Sequence, residues 1–517
     1  MTTTTTAPRT RRGLTAALAG LALIAQASAF AQGTEPTACT DGFAGEFPCD
    51  GVDFLSFLSI AELGGDADTK VANVWGWEDP ADGREYVLLG LTDSTAFIDV
   101  TEPTAPRLVG KLPTQTTDSK WRDIKTYRDH AFIIADVPSV HGMQVFDLGL
   151  LRNANAAAPA TFAADAHFTG FGDAHNLYIN RESGFAYVVR TTTPELCNGA
   201  LYMVDIREPL SPAFAGCVED GGLASDSYCV TYRGDDVAYR GRELCVIASD
   251  DDLIVADVTD KTAPVTLATL GYANIARAHN AWFSASHNHF ITVDMNDELN
   301  TGANTRVFSW DLRDVDNPTL IGVYDGPTGA SDHNVWLRGD KAYVGNFRAG
   351  VRILDASGLE DGVLEQEAFF DMIPSDDNPG HIGGAWAVYP FFASRTLAVA
   401  DKEAGLYLLR QQRAEALTLD LAYTMADGST GKQSLTLFDD SSFDDAAGQA
   451  GTWSMRPARP GLVVQFDDAT GCSARLIGRF DPEAGLRGVR LCTDGSGARG
   501  VWTGTLQQAG SRRPDAR

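Results

Sequence analysis

The 517-residue chain carries 41 Lys and Arg against 69 Asp and Glu, a formal net charge of −28 at pH 7. That balance excludes a nucleic-acid binder, whose phosphates need a basic face, and an anionic membrane surface. It suits an exported protein kept apart from its neighbours by self-repulsion, and the eight cysteines fit an oxidising compartment.

Residues 1–31 read as a signal peptide: Arg9, Arg11 and Arg12 precede an apolar run from Leu14 to Ala25, and Ala29-Phe30-Ala31 offers an A-x-A cleavage site. Arg11-Arg12 leaves Sec and twin-arginine export both open. The mature chain is expected in the periplasm, at the cell surface or outside the cell. No later run approaches the ~20 apolar residues that span a bilayer. Residues 32–51 form a Cys-closed loop, CTDGFAGEFPC, and 52–64 (VDFLSFLSIAELG) an apolar strand with no partner nearby in sequence.

From residue 71 a short apolar strand ending in aspartate, a turn and a second strand recur. Examples are FIDVTEPTAPRLVGKL (97–112), MVDIREPLSPAFAGCV (203–218), IVADVTDKTAPVTLATL (254–270) and SWDLRDVDNPTLIGVY (309–324). The strand-ending aspartates are Asp99, Asp147, Asp205, Asp257, Asp311 and Asp355. Their spacing of roughly 44 to 58 residues is that of propeller blades. Each carboxylate is placed to accept N–H groups of the turn that follows. The fold expected is all-β: a seven-bladed β-propeller over 52–410. Its seventh blade has only three strands of its own (384–390, 396–401, 405–410). An open ring would expose sheet edges, so the orphan strand 52–64 is expected to close the last blade. A small β-barrel or meander follows over 417–505, and 506–517 form a disordered tail. The cysteines pair best as neighbours, Cys39/Cys49, Cys197/Cys217, Cys229/Cys245 and Cys472/Cys492, although eight allow 105 connectivities.

Aligning the first strand of each blade gives one informative column. Blades three, five and six begin His175-Asn176, His279-Asn280 and His333-Asn334. The corresponding places hold Arg122-Asp123 in blade two, Ala72-Asn73 in blade one, Ser225-Asp226 in blade four and Gly383-Gly384 in blade seven. First strands line a propeller's axis, so these residues converge on one mouth of the channel. Ligand binding there is assigned to His175, Asn176, His279, Asn280, His333, Asn334, Arg122, Asp123 and Asp226. Imidazoles and carboxylates ligate metals or act as acid and base, which would make His175, His279 and His333 ligands of a divalent metal, Ca²⁺ or a transition metal. The competing reading has each His-Asn pair pinning the strand start to its neighbour. The acidic turns Asp250-Asp251-Asp252 and Asp294/Asn296/Asp297/Glu298 lack EF-hand spacing and read as solvated.

The segments HAFIIAD…HGMQVFDL (130–148), DAHNLYINRESGFAYVV (173–189), SDHNVWLRGDKAYVGNFRAGVRILD (331–355) and GAWAVYPFF (384–392) resemble the choice-of-anchor B family, which carries LVIVD repeats. The resemblance covers residues 36–410 and implies an exported bacterial β-propeller. It supplies no catalytic residues. Members resembling this chain have His-Asp near the start of blade four, where this one has Ser225-Asp226, which weakens a metal ring. The function expected is a monomeric, non-enzymatic binding protein for a protein or glycan partner. The alternative is a metal-dependent hydrolase or other enzyme at the His-lined mouth.

Overall fold

The structure is a computed structural model. It describes residues 1–3, 35–137, 139–192, 195–413, 415–425, 428–438, 442–445, 450–455, 462–466, 474–481, 485–492 and 499–508. All but the first three residues of the expected signal peptide 1–31 lie outside the described residues, as do Cys472 and the tail beyond Gln508. Met1–Gly33 form one unit and Thr34–Arg517 another.

Seven sheets follow one another along residues 71–411. Their first strands are Val71–Glu78, Arg122–Tyr127, Asn176–Asn180, Ala224–Thr231, Ala278–Phe283, Asn334–Arg338 and Ala385–Tyr389. Each is the inner edge of its sheet, and each touches the next in order, the seventh returning to the first. The strands between are continuous apolar runs, such as Glu85–Leu91 and Glu243–Ser249, buried at every position. Runs of that kind suit strands covered on both faces by neighbouring sheets.

The strand-ending aspartates close their turns as their spacing predicts. Asp99, Asp147, Asp205, Asp257, Asp311 and Asp355 each accept, on Oδ1, the N–H two residues on, at 2.8–3.1 Å.

The seventh sheet takes its fourth strand from the other end of the chain. Val52–Ser59 pairs antiparallel with Gly405–Gln411, from Val52 opposite Gln411 to Ser59 opposite Gly405. Gly405 has φ +147°, and a Cβ there would stand 2.0 Å from the Leu58 carbonyl oxygen. The incoming strand therefore requires glycine at that point. Residues 32–51 are more than a loop: Phe47–Asp50 pairs with Glu365–Phe370 and Phe43–Ala44 extends it, giving the sixth sheet six strands. Phe47 packs against Phe54, Phe370 and Tyr407, and that apolar contact explains why the segment adds to a sheet.

Eight further strands, from Glu415–Met425 to Arg499–Gln508, pair in sequence, and the last pairs with the first, so this sheet closes on itself. Alternate residues such as Leu419, Leu421, Leu435, Leu437 and Trp502 fill its core. The final strand reaches Gln508, three residues into the stretch expected as a tail, because its pairing with Leu417 and Thr418 continues to that point.

Among the described residues three disulfides join neighbours as expected, Cys39–Cys49, Cys197–Cys217 and Cys229–Cys245. The fourth expected disulfide, of Cys492 with Cys472, is not one of them, because Cys472 lies outside the described residues. Cys492 ends the strand Gly485–Cys492, opposite Ala474 across the antiparallel ladder.

Candidate functional site

In the first strands of sheets one to six, one position stitches its sheet to the next. Asn73 donates Nδ2–H to Asp123 Oδ1 at 2.8 Å, and Asp123 Oδ2 accepts the Leu177 N–H at 2.8 Å. Asn176 donates to the Ser225 carbonyl at 2.8 Å, and Asn280 donates to Asp226 Oδ2 at 2.6 Å while accepting the Val335 N–H at 2.9 Å. Asn334 donates to the Trp386 carbonyl at 3.3 Å. These are bonds between sheets that differ by some fifty residues in sequence, and all the groups are buried. Asp123, Asn176, Asp226, Asn280 and Asn334 therefore hold the inner ring of strands together. Asp226 occupies the column position in the fourth sheet. In the seventh sheet the partner is Trp386, so the column continues at Ala387 and not at Gly383-Gly384. A bulge between Ala385 and Ala387 shifts the register.

In the third, fifth and sixth sheets the residue before the column position is a histidine; His279 and His333 are buried and His175 is half-buried. His279 Nδ1 donates to the His333 carbonyl at 2.8 Å, and His333 Nδ1 donates to the Trp386 carbonyl at 2.7 Å. A carbonyl only accepts, so the proton of each neutral ring sits on Nδ1 and Nε2 is left as an acceptor. The two rings lie 4.1 Å apart, and His175 lies 6.3 Å from His279. Burial holds His279 and His333 well below the usual imidazole range, with neighbouring imidazoles and cations adding to it. His175 differs: its Nδ1 meets Asp136 Oδ2 at 2.6 Å, and burial notwithstanding, that bond leaves the Asp136 carboxyl below its ordinary range. Among the described residues no group of three or more His, Cys, Asp or Glu side chains is arranged to hold a metal ion.

Charged residues that the column did not reveal surround these rings. Arg190 Nη2 bonds Asp250 Oδ1 at 2.5 Å, and Arg277 Nε bonds Ser225 Oγ at 3.1 Å and stands 3.3 Å from Asp250. Arg277 belongs to the RAHN motif, two residues before His279, a signal the alignment on histidine passed over. Lys402 stacks over Trp386 at 3.4 Å. Burial, then Lys120, pulls its ammonium down to about 7, while the indole face favours the charged form.

Two residues beyond the column the side chains are Trp75, Lys125, Tyr178, Tyr228, Trp282, Trp336 and Tyr389. Their rings pack in sequence, Tyr178 on Tyr228 at 4.3 Å, Tyr228 on Trp282 at 3.8 Å, Trp282 on Trp336 at 4.8 Å and Trp75 on Tyr389 at 5.2 Å. Lys125 lies 4.7 Å from the Trp75 ring and bonds both Asp123 oxygens at 2.7 and 2.8 Å. The axis is filled by aromatic rings below the histidines. The period-2 alternation of a strand carried that signal in the sequence.

Two assignments resolve differently from their expectation. Arg122 points away from the mouth, donating Nε–H to the Leu91 carbonyl at 3.1 Å and Nη2–H to Thr114 Oγ1 at 2.8 Å. The turn at Asp294, Asp297 and Glu298 is buried, not solvated, and packs beside buried Asp332. Tyr272 OH donates to Asp294 at 2.8 Å and Arg306 pairs with Asp297. Burial, then Asp297, pushes the Glu298 carboxyl well above the usual carboxylate range.

Three solved structures are similar to parts of the chain. The C-terminal WD40 domain of Sif2 is 13% identical over 66% of this chain and 81% of its own, with a TM-score of 0.39. Hydrazine synthase of Kuenenia stuttgartiensis is 10% identical over 62% and 90%, with a TM-score of 0.43. A functionally unknown protein of Desulfotomaculum acetoxidans is 11% identical over 57% and 88%, with a TM-score of 0.40. No curated protein matches the chain. Residues 330–359, which include His333 and the first three strands of the sixth sheet, match the LVIVD repeat. The chain is an all-β protein of β-propeller type that carries the LVIVD repeat.

Proposed function

We propose that this chain is an exported, seven-bladed β-propeller of the choice-of-anchor B type with a small C-terminal β-barrel domain, and that it is a binding protein rather than an enzyme. Its ligand, a protein or glycan outside the cytoplasm, docks at the histidine-lined mouth. One observation carries this reading: the half-buried His175, held by Asp136, and the half-buried Arg277 stand beside the buried imidazoles of His279 and His333, themselves fixed through Nδ1, over a floor of packed aromatic rings. A blind mouth with pre-oriented polar edges suits recognition, because little ordering remains to be done on binding. The test is calorimetric titration of residues 35–517 with neutral and acidic oligosaccharides and with protein captured from the cell exterior. Each ligand found is repeated on His175→Ala and Arg277→Ala. At least tenfold weaker binding with unchanged melting supports the mouth, and undiminished binding refutes it.

The Asp136–His175 bond of 2.6 Å favours a second reading, an enzyme, since a carboxylate that orients an imidazole prepares it for proton transfer or for metal ligation through Nε2. Metal analysis of the purified protein with His175→Ala, His279→Ala and His333→Ala separates the two. Stoichiometric metal lost in the variants supports the enzyme, whereas metal-free protein with a lowered melting temperature supports pinning.

A further inference from the structure

The segment from Asp371 to Gly384 joins the outer strand of the sixth sheet to the inner strand of the seventh, whose Trp386 carbonyl holds His333. Two of its side chains, Asp376 and His381, meet Arg348 and Glu403, which stand on the turns after the second strands of the sixth and seventh sheets. His381 Nδ1 lies 3.2 Å from Asp376 Oδ2, and its Nε2 lies 3.5 Å from Glu403 Oε1. Arg348 Nε lies 3.1 Å from Asp376 Oδ2, and its Nη1 donates to Glu403 Oε2 at 3.1 Å.

Both carboxylates therefore face the same two side chains, one a permanent cation and one a cation only when protonated. With a neutral ring the cluster sets one positive charge against two negative ones. A proton on the ring makes it two against two. The His381 side chain is 41% exposed, so the ring exchanges protons with solvent. Asp376 stays ionised in mild acid, because the Asn378 N–H, then His381 and Arg348, hold it below the usual carboxylate range. Neighbouring charges are engaged elsewhere. Asp371 and Asp377 act on Arg352, Asp401 accepts the Glu403 and Ala404 N–H groups, and Lys402 stacks on Trp386. On the helix whose Leu299 approaches Gly380, Asp297 and Glu298 are buried, with Arg306 on Asp297. Asp332, beside the Ser331 hydroxyl that donates to the Pro379 carbonyl, accepts the Arg306 N–H.

We propose that His381 is a pH-sensitive clasp: its imidazolium pins residues 374–384 to the Glu403 turn, and its neutral ring lets that segment loosen. A cation that gains partners favours the ordered state on the acid side. Order is greatest below the ordinary imidazole value near 6.5 and falls as pH rises through it. The clasp acts on the segment itself and is independent of what binds at the mouth.

Hydrogen exchange tests it. The amides of Asn378, Gly380, His381 and Gly383 are hydrogen-bonded within the segment. After correction for the intrinsic pH dependence of exchange, their protection should be about threefold greater at pH 5.5 than at pH 8, the worth of two part-exposed ion pairs. The strand Leu253–Asp257 serves as the reference for changes in global stability. His381→Gln should bring the ratio to about one, and Glu403→Gln, which removes the partner on the far turn, should reduce it. Equal protection of the segment at the two pH values overturns the proposal. So does a difference that survives in His381→Gln, or one that Glu403→Gln leaves unchanged.

Discussion

Replacing Asp123 by alanine tests the stitching of the inner ring at its most connected point. The Asp123 carboxylate, 1% exposed, accepts from Asn73 Nδ2, the Ile124 and Leu177 N–H groups and Lys125 Nζ, all at 2.7–2.8 Å. Its loss leaves the Lys125 ammonium buried without its partner, which costs ~3–5 kcal/mol. Each orphaned donor from Asn73 and Leu177 adds ~1–3 kcal/mol, though neighbours in one network do not add fully. A destabilisation of roughly 5 kcal/mol is expected, read as the urea midpoint of tryptophan fluorescence. The paired change Asp123→Leu with Lys125→Met removes both charges and should recover at least about half of that loss, since apolar replacements of a buried pair are often near neutral. A single variant within about 1 kcal/mol of wild type, or a double variant as unstable as the single, would refute the view that this ion pair joins sheets one, two and three.

Deleting residues 35–64 removes the strand paired with Gly405–Gln411 and the two strands added to the sixth sheet, so cooperative unfolding should be lost and the bare edges should aggregate on gel filtration. A monomeric truncation with an unchanged melting temperature would contradict this. Acid should weaken the fold because Asp205 and Asp311 are held below the usual carboxylate range, first by Arg207 and Arg313. Their contribution is complete above the unfolded value near 3.9 and is lost as pH falls through the lower folded values. Asp226 acts in the opposite sense. Burial raises it to about 7 against the pull of Lys125 and Asn280, so the folded chain keeps a proton that the unfolded chain loses above about 4. Stability from Asp226 should fall between pH 4 and 7. Asp226→Asn should flatten that decline in urea midpoints taken across this range, and a decline that persists in the variant counts against the assignment.

Much of the ring was readable from the chain because a repeated turn repeats its chemistry. The six strand-ending aspartates announced both the period and the turn closure, and the three-stranded last unit announced a missing partner. The His-Asn column was also visible, since strands that start alike align without coordinates. Proximity in sequence likewise named the three disulfides of Cys39, Cys197 and Cys229. For the fourth expected pair, Cys472 lies outside the described residues. Side-chain direction was not visible. Arg122 shares the column position of the histidines, yet its length carries the guanidinium outward to the Thr114 loop. Asp136 and Arg277 come to the mouth from positions outside the aligned pair, and the Asp297-Glu298 turn gave no sign that Asp332 would cover it.

What the amino-acid order determined by itself is everything that depends on neighbours in sequence: the strands, their turns, the blade-length period and the fact that one strand lacked company. The tertiary structure decided what depends on separations of some fifty residues or more. Which nitrogen of His279 carries the proton, which sheet accepts Val52–Ser59, and which carboxylate bears a proton all follow from burial and from partners brought in by ring closure. Local patterns encode the conformation of a strand, but the energy of a buried polar group is set by whatever the fold places against it.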